Sequence, residues 1–236
     1  MAKTVIFDLD GTILDSMRIF TEIVVSNLER SGVLKTKESL DKIGIQLLET
    51  NHASQMKPGA ILIFKIFWRV GRTFGLSRIR CLQFTTRCLK TIKRVYKNAI
   101  LFPKTKESLV KLVENGYCLG ICTSANRDQM NFILNKHQLI ELFHPKALIS
   151  RDDVTNLKPA PEGIILAMSE CSARVEDCFY IGDMPTDIIA GDSAGLTTIG
   201  LTTGLVSREL LLKFCSPTIV LDSIEEATEW ILCSNN

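Results

Sequence analysis

Apolar residues gather along the chain in short unbroken runs, separated by longer stretches with helical spacing. Thr4-Val5-Ile6-Phe7 is such a run, followed at once by a carboxylate and soon by a glycine, and it predicts a buried strand. Runs at Tyr117–Cys122, Ala147–Ile149, Cys178–Ile181, Thr197–Leu201 and Thr218–Leu221 predict five more. A helix is expected to open near Pro103 and close at Gly116, because proline suits the first helical turn and glycine the position just past the end. Another is expected to start near Pro161. The strands are apolar throughout rather than alternating, as in sheets covered on both faces. The predicted fold is therefore α/β: a doubly wound parallel sheet, a Rossmann-like core with helices on both sides.

The rhythm breaks between about Ser16 and Asn98, where the spacing is almost wholly helical. From Ile61 to Phe74 the only charges are Lys65, Arg69 and Arg72, one helical stripe. Next, Arg80, Gln83, Arg87, Lys90, Arg94 and Lys97 share a face, while Ile79, Leu82, Leu89, Ile92 and Tyr96 occupy another. The expected organisation is an α/β core of residues 1–15 and 99–236 with an inserted α-helical domain over 16–98.

Charge sharpens that division. The chain of 236 residues has a formal net charge of +2, with 28 basic and 26 acidic residues. No Asp or Glu lies between Thr50 and Glu107, a stretch holding 13 Lys and Arg, so the remainder carries 15 basic against 26 acidic residues. The eight cysteines include no C-x-x-C pair, and several sit inside strand-like runs, which suits free thiols in a reducing compartment. The N-terminal residues lack a secretion-signal pattern, and no apolar run approaches the roughly 20 residues that span a bilayer. A cytoplasmic protein without a transmembrane segment is expected.

Ligands of open parallel sheets bind beyond the carboxyl ends of the strands, so the residues there are the candidates for chemistry. Asp8-Leu9-Asp10-Gly11-Thr12 follows the first strand, Thr123-Ser124 the second, and Gly182-Asp183-Met184-Pro185-Thr186-Asp187 the fourth, with Lys158-Pro159 ahead of that one. Asp8 and Asp183 can offer hard oxygen ligands to Mg²⁺, and a carboxylate can attack phosphorus. Asp10 is placed to act as general acid and base. Gly11 permits a turn and lets backbone N–H groups approach a phosphate. The Thr123 hydroxyl and the Lys158 ammonium can hold phosphoryl oxygens, where charge spreads during transfer. His52, His137 and His144 show no ligand-like spacing. Asp15 is expected at a helix start, Asp152 and Asp153 in a loop leading to Lys158, and Ser124, Ala125 or Asn126 at a helix cap.

These segments, in this order, resemble the four motifs of the haloacid dehalogenase-like hydrolase superfamily, most closely its phosphoglycolate-phosphatase-like branch with a helical cap after the first motif. The resemblance spans essentially the whole chain. It implies Asp8 as nucleophile, Asp10 as general acid/base, and phosphoryl binding by Thr123 and Lys158. Gly11, Thr12 and Ser124 join the expected substrate-binding set. Mg²⁺ would be held by the Asp8 side chain, the Asp10 backbone carbonyl and Asp183, with Asp187 as a further acidic group. Asp10 favours phosphoryl over carbon–halogen chemistry. Met184 departs from the small or hydroxyl residue many relatives carry there. Only 34 residues separate Thr123 from Lys158, too few for a second domain, so the cap falls in the earlier insert.

The expected activity is Mg²⁺-dependent hydrolysis of a small phosphorylated metabolite through an aspartyl phosphate. A phosphomutase acting on a sugar phosphate is the alternative within the same chemistry. A binding module that docks nucleic acid or an anionic surface through the basic cap is the alternative from another class. The same basic face also suits a polyanionic small substrate or plain solvation. A monomer or a homodimer is compatible with all of these.

Overall fold

The computed structural model describes residues 3–33, 60–92 and 97–234. The chain divides into two compact units, Met1–Asp15 with Ile100–Asn236, and Ser16–Ala99.

The larger unit is built on a six-stranded sheet. Its strands are β1 (Thr4–Phe7), β2 (Cys118–Cys122), β3 (Leu148–Ile149), β4 (Cys178–Gly182), β5 (Thr197–Leu201) and β6 (Ile219–Leu221). They run in the order β3-β2-β1-β4-β5-β6, and every pairing is parallel. The expected fold class holds. Because the switch in strand order falls at β1, the ends of β1, β2 and β4 share one edge, where a crevice forms.

Register explains how the core fills. Ile6 lies opposite Gly120 and Tyr180, so these residues share one face, and Ile6 and Tyr180 pack there with Ile164, Ala167 and Ala190. Val5 lies opposite Leu119 and Phe179 and points the other way. There the Phe179 ring meets Trp230 edge-on at 6.3 Å. Strands buried on both sides need apolar residues at every position, which is why the runs do not alternate.

The helix after the first crossover, Thr105–Glu114, begins later than Pro103 suggests. Lys104 adopts φ 62° at the position before the first turn, so Pro103 belongs to the preceding bend rather than to the helix. The helix Arg127–Lys136 is capped by Asn126, whose side chain accepts from Gln129 N while Gln129 returns a bond to Asn126 N. Among the three cap candidates, Asn126 takes the role. The helices Glu162–Glu170 and Pro185–Ser193 follow the Lys158 and Asp183 segments.

The smaller unit contains helices Ser16–Glu29, Ala60–Thr73 and Arg78–Thr91 among its described residues. The last of these buries a stripe other than the apolar face that its spacing outlines. Its buried stripe is Cys81, Phe84, Thr85 and Cys88, whereas Ile79 is 74% and Leu82 51% exposed, and Leu89 and Ile92 are half-buried. Tyr96, Arg94 and His52 lie outside the described residues. The reason is steric. Cys81 seats in the notch left by Gly71, where a Cβ would come within 2.8 Å of its sulfur, and the Phe84 ring meets Phe67 edge-on at 6.5 Å. Phe67 also stacks on Phe20 at 5.6 Å. Small, tightly packed thiols outweigh two larger side chains in setting the helix rotation. Among the described residues no helix is long and apolar enough to cross a membrane.

Candidate active site

The chain leaves β1 at Phe7, so Asp8 is the first residue past the strand, and its N–H donates to Ile181 O of β4 at 2.9 Å. Asp183 is the first residue past β4, and Asp187 sits in the first turn of the next helix. Carboxylate oxygens of Asp8, Asp183 and Asp187 lie within 4.8 Å of one another, and all three side chains are buried. Asp10 stands outside this trio, but its charge bears on both Asp8 and Asp183.

Lys158 joins the groups. Its Nζ donates to Asp8 Oδ1 and to Asp187 Oδ1, both at 2.6 Å, to Cys122 O at 3.1 Å and to the Tyr180 hydroxyl at 3.2 Å. With 7% of its side chain exposed, this ammonium is held almost wholly by protein. Burial alone would lower its pKa, but the carboxylates of Asp187 and Asp8 outweigh that and hold it well above the ordinary value.

One cation cannot satisfy this many carboxylates. Burial, helped by the charges of Asp187 and Asp10 and opposed by Lys158, pushes the Asp8 carboxyl up to about 7. Asp183 is raised well above its usual range, first by burial and then by Asp187 and Asp8. Three hard oxygen donors with an excess of negative charge fit an ion such as Mg²⁺ by donor type and by charge.

The other expected residues divide by location. The Thr12 hydroxyl donates to Asp183 Oδ1 at 3.3 Å and is fully buried, so it supports that carboxylate directly. Thr123, buried at the end of β2, accepts from Ala125 N at 3.1 Å. Ser124 is half-exposed beside it. Asp152 and Asp153 hold the start of the Arg127 helix through Arg127 N and its guanidinium, and Asp153 also accepts from Ser150. They belong to the loop before Lys158 and stay out of the cluster. Met184 precedes the helix, and its N–H donates to Asp187 Oδ2 at 3.0 Å.

Three contributors escape sequence reasoning. The Tyr180 hydroxyl lies within 3.3 Å of Cys122 O and 3.4 Å of Asp187 Oδ1 while accepting from Lys158, so it steadies the ammonium from below the sheet edge. Thr203, in the loop after β5, donates to Gly11 O at 2.5 Å. Its neighbour Gly204 lies so close to Asp183 that a Cβ would fall 1.8 Å from Oδ2. Gly11 flanks the same carboxylate, with φ +87° and a hypothetical Cβ 2.3 Å away. Two backbones thus grip Asp183 where any side chain would displace it. Gly204→Ala is expected to reduce turnover at least about 100-fold while the far-ultraviolet circular dichroism stays native, since displacing a catalytic group by about 1 Å costs that much. Undiminished turnover would show that the grip is irrelevant.

An open parallel sheet with a carboxylate cluster, a buried lysine and a strand-end threonine at its switch point defines a Rossmann-like α/β protein with a polar site at the strand ends. Within that class the chain belongs to the haloacid dehalogenase-like hydrolase family, whose model matches residues 5–201. It is 28% identical over 226 residues to pyrophosphatase PpaX of Anoxybacillus flavithermus, covering 95% of this chain and 94% of that one. It is 27% identical over 204 residues to phosphoglycolate phosphatase of Yersinia pseudotuberculosis, covering 86% and 82%. A solved structure from Haemophilus somnus, described as a predicted phosphoglycolate phosphatase, superposes with a TM-score of 0.71 at 21% identity over 97% of both chains. A Thermotoga maritima protein provisionally described as a β-phosphoglucomutase gives 0.68 at 20% identity over 98% and 99%. The expected family and an enzyme of its hydrolase type are borne out.

Proposed function

We propose that the chain is a Mg²⁺-dependent phosphatase that hydrolyses a small phosphorylated metabolite through an aspartyl phosphate on Asp8. One observation carries this reading: Lys158 Nζ rests 2.6 Å from both Asp8 and Asp187 inside the carboxylate cluster at the switch point. The relatives described as phosphatases support it.

In this reading Asp8 attacks phosphorus in line and Asp10 gives a proton to the departing oxygen. Lys158 and Thr123, with a backbone N–H at Ser124, hold the equatorial oxygens where charge develops. Asp10, now a carboxylate, takes a proton from the water that cleaves the acyl phosphate, and Asp8 is regenerated. Thr12, Gly11 and Gly204 keep Asp183 fixed, while Tyr180 and Asp187 keep Lys158 aimed at Asp8. Asp8, Asp183, the Asp10 carbonyl and Asp187 are the residues that would hold Mg²⁺, which supplies positive charge to the cluster and to the ester oxygen. We assign the helical residues 16–98 as the cap domain that selects the substrate.

The test is phosphate release from a generic aryl phosphate and from a panel of phosphorylated metabolites, with Mg²⁺ and with chelator. Release that requires Mg²⁺ is expected. If a sugar phosphate is isomerised and no inorganic phosphate appears, the mutase reading replaces this one.

A further inference from the structure

The helical unit carries a surface that the phosphatase chemistry leaves unused. Helices Ala60–Thr73 and Arg78–Thr91 pack against each other, and an open groove of about 680 Å³ runs between them. Its apolar wall comes from both helices, as Phe64 and Trp68 on the first and Ile79 and Leu82 on the second. The Phe64 and Trp68 rings, one turn apart, stack at 6.0 Å. Ile79 and Leu82 project into solvent. The inner faces of the two helices are already filled by Phe67, Val70, Cys81 and Phe84, so packing of the unit does not call for apolar residues in the groove.

The groove is cationic at its rim. Lys65, Arg69 and Arg78 line it, and all three are exposed. Arg72 extends the Lys65–Arg69 stripe by another turn, and Arg80 and Lys90 stand exposed on the second helix. Neither helix carries a carboxylate, because no Asp or Glu lies between Thr50 and Glu107. The remainder of the chain, with 15 basic against 26 acidic residues, is repelled by any large anion that attracts this segment. Attraction to such an anion is therefore confined to the two helices and their neighbours in sequence.

We infer that this face docks on the surface of a bilayer rich in anionic phospholipid. Ile79 and Leu82 enter the boundary of the acyl chains, and the Trp68 and Phe64 rings sit at headgroup depth. The lysine and arginine stems lie along the apolar wall while their charged ends reach the lipid phosphates. Lys65, Arg69, Arg72, Arg78, Arg80 and Lys90 fall within the cluster of about four to eight cations that holds an amphipathic surface to anionic lipid. Nucleic acid would use the same cations, but a phosphate backbone leaves Ile79 and Leu82 in water. An uncharged apolar ligand would leave the cations without a purpose. Only an anionic interface with an apolar interior uses both halves of the face.

Sedimentation of the full-length protein with vesicles tests this. The protein should pellet with vesicles of equal phosphatidylglycerol and phosphatidylcholine, stay in solution with phosphatidylcholine alone, and be released by added salt. The chain has two tryptophans, so Trp230→Phe leaves Trp68 as the fluorescent reporter, and its emission should shift to the blue on the anionic vesicles. Ile79→Ser combined with Leu82→Ser, at exposed positions where circular dichroism should stay native, should weaken vesicle affinity at least about fivefold. Arg78→Gln should cost about fivefold as well, the share of one cation near an anionic leaflet. Asp8→Asn should bind vesicles as tightly as wild type, which keeps the outcome independent of the catalytic reading. Failure to pellet, equal binding to phosphatidylcholine, unchanged Trp68 emission or unchanged affinity in the double variant would overturn the assignment. So would a single-stranded oligonucleotide that shifts Trp68 emission at lower concentration than the lipid does, since the face would then belong to nucleic acid.

Discussion

Asp8→Asn is expected to lower Mg²⁺-dependent release of phosphate from an aryl phosphate at least about 10⁴-fold, a loss of roughly 5 kcal/mol of transition-state stabilisation. An amide oxygen is a poor nucleophile toward phosphorus, and the substitution removes one of the two carboxylates that position Lys158 at 2.6 Å. The fold should survive, because Lys158 keeps Asp187, Cys122 O and the Tyr180 hydroxyl. Thermal denaturation near the wild-type value together with lost turnover separates a chemical role from a structural one. Turnover within tenfold of wild type would remove Asp8 from the mechanism.

Asp183→Asn is expected to have opposite effects on activity and on the metal-free fold. Asp183 makes no ion pair among the described interactions, while burial and the neighbouring carboxylates of Asp187, Asp8 and Asp10 press against its charge. A carboxyl whose folded pKa is raised binds its proton more tightly in the folded state. Its stabilising contribution is complete below about pH 4 and is lost as pH rises through the folded value, which for Asp8 is about 7. Without metal, the wild-type protein should therefore melt lower at pH 8 than at pH 5.5. Asp183→Asn should flatten that slope and raise the metal-free melting temperature at pH 8 by a few degrees, as about 1–2 kcal/mol does in a chain of this size. Added Mg²⁺ should stabilise wild type more at pH 8 than at pH 5.5, because bound protons no longer compete. The variant should lose that response together with its turnover. A wild-type melting temperature that rises with pH in chelator would contradict the electrostatic reading of the cluster.

Much of this site is legible in the residue order because its chemistry depends on residue types at strand ends. Asp8, Thr123 and Asp183 follow from locating apolar runs and reading what comes after them, whereas Lys158, ahead of the fourth strand, is singled out by its place beside Pro159 in the order of the motifs. The structure brings Asp8, Lys158, Asp183 and Asp187 together as that logic expects. What stays hidden depends on geometry rather than composition. Gly204 contributes the lack of a side chain, and Thr203 acts on a backbone carbonyl, so neither has a distinguishing signature. The loop after β5 is nonetheless a strand end at the same edge and could be searched on that ground. Tyr180 is a polar tip in a strand whose neighbours are apolar, the one hint available from its sequence.

The helix Arg78–Thr91 shows a different limit. Its apolar residues at Ile79 and Leu82 have helical spacing, yet they face outward, because the rotation is decided by how Cys81 fits against Gly71 and Phe84 against Phe67. Periodicity identifies a helix reliably, but it does not choose between two faces of similar hydrophobicity when small residues pack best.

The most direct measurement is acid quenching of the protein during steady-state turnover of a phosphate ester, followed by mass spectrometry of the fragments. One phosphoryl group on Asp8, labile to hydroxylamine and missing when substrate is omitted, is the expected result. Continuous release of phosphate with Asp8 unmodified at every quench time, or with the phosphoryl group on another side chain, would contradict it.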